Sequence, residues 1–137
     1  MTYWRLHYHI IWSTQDREPL LTAENEKIFY GVLSKKGKDL GLIIHAAGSV
    51  EDHVHLVVSI PPNLSIADCV RHIKGASAHA INQERQNEKF HWQEGYGVLT
   101  IGERSLATVM AYAAHQKEHH NQNKIIDIYE RTEDVMG

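Results

Sequence analysis

The chain has 137 residues, 42% apolar and 23% charged, which is ordinary for one water-soluble globular domain and long enough to bury one core. No stretch approaches the roughly 18 apolar residues of a membrane helix. Met1-Thr-Tyr-Trp-Arg5 enters patterned sequence at once, without the layout of a secretion signal, so one cytoplasmic domain over 1–137 is expected, with about 123–137 as a tail. A net charge of −3 speaks against nucleic-acid binding through bulk positive charge, one cysteine excludes an intramolecular disulfide, and eleven histidines are the unusual element.

Residues 3 to 14 alternate, with Trp4, Leu6, Tyr8, Ile10 and Trp12 on one face and Arg5, His7, His9 and Ser13 mostly on the other, as in a half-buried strand. Thr22 is placed to cap a helix carrying Ile28, Phe29, Val32 and Leu33, running to about Leu40 and stopping at Gly41. Leu42 to Val50 and His53 to Ile60 are β-rich runs joined by Glu51-Asp52, a hairpin pattern that Pro61-Pro62 ends.

Ser65 opens a second helix with Ile66, Val70, Ile73 and Ile81, ending near Arg85 to Asn87. Cys69 falls in its apolar pattern and reads as core; His72 stands near enough to serve as a base, but no orienting group accompanies it. Tyr96 to Ile101 forms a fourth strand, and Ser105 or Thr108 caps a third helix reaching about Asn121. The order β-α-β-β-α-β-α predicts an α+β fold: a ferredoxin-like βαββαβ antiparallel sheet with two helices on one face, plus an appended C-terminal helix.

The chemistry-bearing residues fall on two of these elements. Alternation puts His53, His55, Val57 and Ser59 on one face of the third strand and Val54, Leu56, Val58 and Ile60 on the other, so the aliphatic side meets the helices and the histidines face away. Histidines two apart on a strand are about 6 to 7 Å apart, a spacing that chelates one cation, although hydrogen-bonded imidazoles give the same pattern. On the third helix Tyr112, Gln116 and His119 share a stripe beside the apolar stripe of Leu106, Val109, Met110 and Ala113. Two imidazoles and an amide oxygen can hold a divalent ion with positions left for phosphate oxygens, and a phenol one turn away is a nucleophile for the phosphorus.

Tyr8-His-Ile-Ile-Trp-Ser-Thr14, Glu51-Asp-His-Val-His-Leu-Val-Val58, Ile73-Lys-Gly-Ala-Ser77, Trp92-Gln-Glu-Gly-Tyr-Gly97 and Tyr112-Ala-Ala-His-Gln-Lys-Glu-His-His120 span nearly the whole chain. Together they resemble the single-tyrosine transposases of bacterial insertion sequences, the TnpA-type members of the HUH endonuclease superfamily. His-hydrophobic-His on a strand is the motif that names the superfamily.

That resemblance implies a metal-dependent DNA transposase that binds Mg²⁺ or Mn²⁺ through His53, His55 and Gln116. Tyr112 would be the nucleophile, cleaving single-stranded DNA through a 5′-phosphotyrosine intermediate and later rejoining strands without a nucleotide cofactor. It implies a homodimer that recognises DNA hairpins at the element's ends. His115, His119 and His120 are candidates to support the ligands. Arg5, His7, His9, Arg71, Lys74, Lys35 and Lys36, with Trp92 and Tyr96 for stacking, are candidates to meet DNA. The mildly acidic charge and Ala113, where a larger aliphatic residue is expected, depart from the family pattern without touching the chemistry.

Two other classes compete with this reading. In a metal-dependent phosphodiesterase water would attack in place of Tyr112, leaving no protein adduct. A non-catalytic ferredoxin-like nucleic-acid-binding module would need a basic, aromatic sheet face, which the pattern lacks.

Overall fold

A computed structural model describes residues 2–86 and 89–115. Strand β1 (His7–Ser13) lies between β3 (His53–Ser59) and β4 (Gly97–Ile101), and β2 (Ile43–Val50) pairs with the outer side of β3, giving the antiparallel order β2-β3-β1-β4. This is the βαββαβ arrangement expected from the pattern. β1 starts later than its alternation suggests, because His7 already meets the last residues of both neighbours, Ser59 and Ile101. Only the Leu6 carbonyl still reaches across, accepting from Ile60 N–H at 3.2 Å before Pro61 ends the pairing.

Helix α1 (Ala23–Leu40) begins where Thr22 Oγ1 accepts the Asn25 N–H. It stops at Gly41, whose φ of 73° suits a residue without a Cβ. Helix α2 (Ile66–Glu84) is capped in the same way by Ser65 Oγ on the Asp68 N–H, at 3.0 Å. Both helices cover one face of the sheet, where Ile10, Trp12, Val54, Leu56, Val58 and Ile60 pack against Phe29, Leu33, Val70 and Ile73. Cys69 is fully buried in this core, which pushes its thiol up to about 11, as suits a packing residue rather than a nucleophile.

Helix α3 (Leu106–Ala114) lies on β2 and β3, and its Val109 and Ala113 cluster with Val57 of β3 and Ile101 of β4. It crosses the sheet face opposite the two long helices. Its start differs from the expected cap: Ser105 occupies the flanking position in helical backbone geometry and makes no side-chain capping bond. The chain enters through a tight turn at Glu103–Ser105, closed by the Ser105 N–H on the Gly102 carbonyl at 3.0 Å. Among the described residues no helix is long and apolar enough to cross a membrane.

Candidate active site

Antiparallel partners share a face of a sheet, so the register His9↔Val57, Ile11↔His55 and Ser13↔His53 puts His9, His53 and His55 together on the α3 side. All three are buried. The His53 and His55 rings lie 5.2 Å apart between centroids, and the His9 ring lies 4.9 Å from that of His55 at a shallow tilt of 30°. α3 brings Tyr112 over this group, with its ring centroid 5.7 Å from that of His55 and the two planes at 70°. Tyr112 is only 4% exposed, so the helix and the histidine strand meet within one chain.

Hydrogen bonds orient the two imidazoles of the expected chelate. His53 Nδ1 donates to Asp52 Oδ1 at 2.7 Å, and His55 Nδ1 lies 2.8 Å from His9 Nε2. With Nδ1 engaged in both rings, Nε2 is the nitrogen through which either would ligate a cation. A proton on His55 Nδ1 then fixes the neighbouring tautomer, because His9 Nε2 accepts it and His9 carries its own proton on Nδ1. A carboxylate behind an imidazole, as Asp52 stands behind His53, is support that metal-ligating histidines usually have, and two such strand imidazoles fit a divalent ion. Among the described residues no three histidine, cysteine, aspartate or glutamate side chains form a metal cluster.

The other expected site residues are placed variously. Gln116, His119 and His120 lie outside the described residues. His115 is exposed at the end of α3, its N–H on the Ala111 carbonyl at 3.2 Å. His9, read from sequence as a candidate DNA contact, is buried beneath His55 and orients it.

His7, also read as a DNA contact, is buried too: its Nδ1 lies 2.6 Å from Ser59 Oγ and its Nε2 3.1 Å from Glu103 Oε2. Arg5 completes this group by a two-pronged pair with Glu103. The Arg5 hydrogen bond, then that of His7, holds the Glu103 carboxyl down to about 2. The cluster ties the residues before β1 to the turn that starts α3.

Arg71 and Lys74 belong to α2, on the face away from the histidines. Arg71 is exposed and pairs with Asp68 at 3.2 Å. Lys74 Nζ donates to the Gln93 and Gly95 carbonyls, each at 2.7 Å, so it fastens the loop before β4 rather than standing ready for phosphate. Trp92 packs edge-on against Trp12, Phe29 and Phe90 and donates from Nε1 to Ser77 Oγ at 2.9 Å. Its ring therefore lies half-buried against the core. Tyr96 rests half-buried against the same core. Sequence reasoning missed Asp52 as the orienting carboxylate; its signal was adjacency, since a residue next to a strand histidine at a hairpin turn can fold back onto Nδ1.

A family model described as "Transposase IS200 like" matches residues 2–116. The transposase for insertion sequence element IS200 of Salmonella typhimurium is 26% identical over 133 residues, covering 93% of this chain and 87% of the relative. The ISDra2 transposase TnpA of Deinococcus radiodurans is 31% identical over 123 residues, covering 84% of this chain and 88% of the relative. Among solved structures, a protein from Deinococcus radiodurans R1 assigned as a transposase superposes with a TM-score of 0.68 at 28% identity, covering 89% of this chain and 95% of its own. The REP-associated tyrosine transposase bound to a REP hairpin shares the fold, with a TM-score of 0.67 at 19% identity over 88% of this chain and 74% of its own.

The family match makes this a DNA-processing enzyme of the transposase class. The chain belongs to the IS200-like transposase family.

Proposed function

We propose that this transposase cleaves and rejoins single-stranded DNA through a covalent link to Tyr112, at a divalent-metal site held by His53 and His55. The observation that carries the reading is the packing of the Tyr112 ring against His55, the inner member of a histidine pair whose Nδ1 atoms are already engaged. Gln116, one turn beyond the tyrosine on the expected helix, is the proposed third ligand. Bound there, Mg²⁺ or Mn²⁺ supplies charge stabilisation for the phosphodiester as negative charge grows on its oxygens. His9 and Asp52 hold the two imidazoles in the tautomer that presents Nε2.

Tyr112 Oη gives up its proton and attacks phosphorus; the bond to the 3′-oxygen breaks, and that oxygen leaves as a 3′-hydroxyl after taking a proton. The 5′-phosphate stays on the tyrosine. Attack by another 3′-hydroxyl reverses the step, so the energy of the broken ester is conserved and no nucleotide cofactor is consumed. DNA hairpins at element ends are the proposed substrates and a homodimer the proposed working form; a fold relative held on a REP hairpin makes hairpin DNA the first substrate to try.

The deciding experiment incubates the protein with labelled single-stranded hairpin DNA and Mn²⁺ and resolves the products on a denaturing gel, beside Tyr112→Phe. A metal-dependent band of protein plus DNA that the variant lacks is expected. Cleaved DNA without an adduct would make water the nucleophile and the phosphodiesterase reading the better one.

A further inference from the structure

Between β1 and α1 the chain makes a tight turn in which two consecutive residues, Asp16 and Arg17, hold φ at 54°. Among the described residues no other non-glycine residue has a positive φ, and an arginine rarely adopts that conformation. The turn is fastened on two sides. Toward the β2–β3 hairpin, Thr14 N–H donates to the Asp52 carbonyl at 2.9 Å and Leu21 N–H to that of Glu51 at 2.9 Å. Toward the segment before β4, Gln15 N–H donates to the His91 carbonyl at 3.0 Å and Asp16 N–H to Gln93 Oε1 at 2.9 Å. These bonds hold the turn in an uncommon backbone conformation and fix what it presents.

What it presents is Arg17, at the end of the sheet where β3 begins. Its Nε lies 3.8 Å from Asp52 Oδ2, while the other oxygen of that carboxylate accepts from His53 Nδ1. At 3.8 Å the contact is an ion pair without a hydrogen bond, and the arginine side chain stays 48% exposed. A guanidinium carries five N–H donors in a fork that matches two phosphate oxygens, and Asp52 commits none of them. Asp52 puts negative charge beside His53, which attracts a metal ion and repels a polyanion, and Arg17 offsets that charge on the solvent side.

We infer that Arg17 binds a phosphate oxygen of the DNA strand lying across the His53–His55 site and so positions the phosphodiester that Tyr112 attacks. This rests on the strand-transfer reading above. The competing role is structural, in which Arg17 only steadies Asp52 and, through it, His53.

The test measures single-turnover cleavage of labelled single-stranded hairpin DNA with Mn²⁺ for the wild type, Arg17→Asn and Arg17→Lys. Asparagine tolerates positive φ, so Arg17→Asn removes the guanidinium without adding backbone strain, and an unchanged melting temperature confirms the fold. Cleavage should fall about a hundredfold in Arg17→Asn, the usual loss for one donor on a developing anion, and recover in part in Arg17→Lys. DNA carrying one methylphosphonate at the scissile or a flanking position separates the two roles. One position should slow the wild type and slow Arg17→Asn no further, because the contact is already gone.

If Arg17→Asn cleaves like the wild type, or is slowed equally by every methylphosphonate while losing Mn²⁺ affinity, the phosphate assignment is overturned and the strand-transfer reading stands. If the wild type itself gives neither cleavage nor adduct, that reading fails and the Arg17 assignment falls with it.

Discussion

His9 Nε2 and His55 Nδ1 face each other at 2.8 Å beneath the Tyr112 ring, so a β1 residue engages one ring nitrogen of a β3 histidine proposed as a metal ligand. Removing that partner should weaken metal binding while leaving both proposed histidine ligands in place. His9→Leu has no acceptor for the His55 proton and should lower Mn²⁺ affinity about 10- to 100-fold. His9→Gln, whose amide oxygen can accept, should restore part of the loss. Calorimetric titration of Mn²⁺ into both variants checks this, and equal affinity across wild type, His9→Leu and His9→Gln would remove His9 from the site.

The other oriented imidazole gives a parallel expectation. Asp52→Asn keeps the shape of the side chain but replaces the carboxylate that accepts from His53 Nδ1. It should lower Mn²⁺ affinity by a similar 10- to 100-fold and slow adduct formation at fixed Mn²⁺, with the rate recovering as Mn²⁺ is raised. Adduct yield against Mn²⁺ concentration is the measurement. A loss that no Mn²⁺ concentration restores would place Asp52 in the chemical step instead.

Glu103 supplies a pH dependence whose sign is fixed by its partners. Arg5 and His7 hold its folded-state carboxyl at about 2, below an ordinary value of 4.5. A depressed carboxylate contributes stability that is fully present above 4.5 and is lost as pH falls toward 2. Glu103→Gln should therefore melt below the wild type at neutral pH, and the gap should close across that acid window. The pair is solvent-exposed, so the gap should be small. Thermal melts from pH 7 to pH 2 test it; a gap that persists at pH 2 would show that Glu103 acts through packing rather than charge.

Much of this fold was legible because the signals were local. Thr22, Gly41 and Ser65 mark helix ends by chemistry confined to one turn, and the two-residue link Glu51-Asp52 sets the β2–β3 hairpin without reference to anything distant. The face of His53 and His55 followed from alternation alone. What escaped was set by register between strands remote in sequence. His9 and His7 read as exposed because their strand alternates, but only the β1–β3 pairing shows that their face lies under α3 and against His55 and Ser59. Trp92 escaped for a related reason: its half-buried place depends on packing with Trp12 and Phe29 from two other elements.

Lys74 turns that lesson into a measurable distinction. As a phosphate contact, its loss would weaken DNA binding with little effect on folding; as the structure has it, the ammonium caps two loop carbonyls, of Gln93 and Gly95, on the far side of the sheet from the histidines. Burial draws its pKa down, yet each carbonyl bond to a charged donor still favours the folded state. Lys74→Met keeps the aliphatic stem against the core and leaves both carbonyls without that donor, which should cost about 1–3 kcal/mol. Denaturant unfolding should show the loss as a lower midpoint with an unchanged slope, and hairpin-DNA affinity measured well below the transition should match the wild type. Unchanged stability with weakened DNA binding would return Lys74 to the DNA interface and place part of that interface on α2.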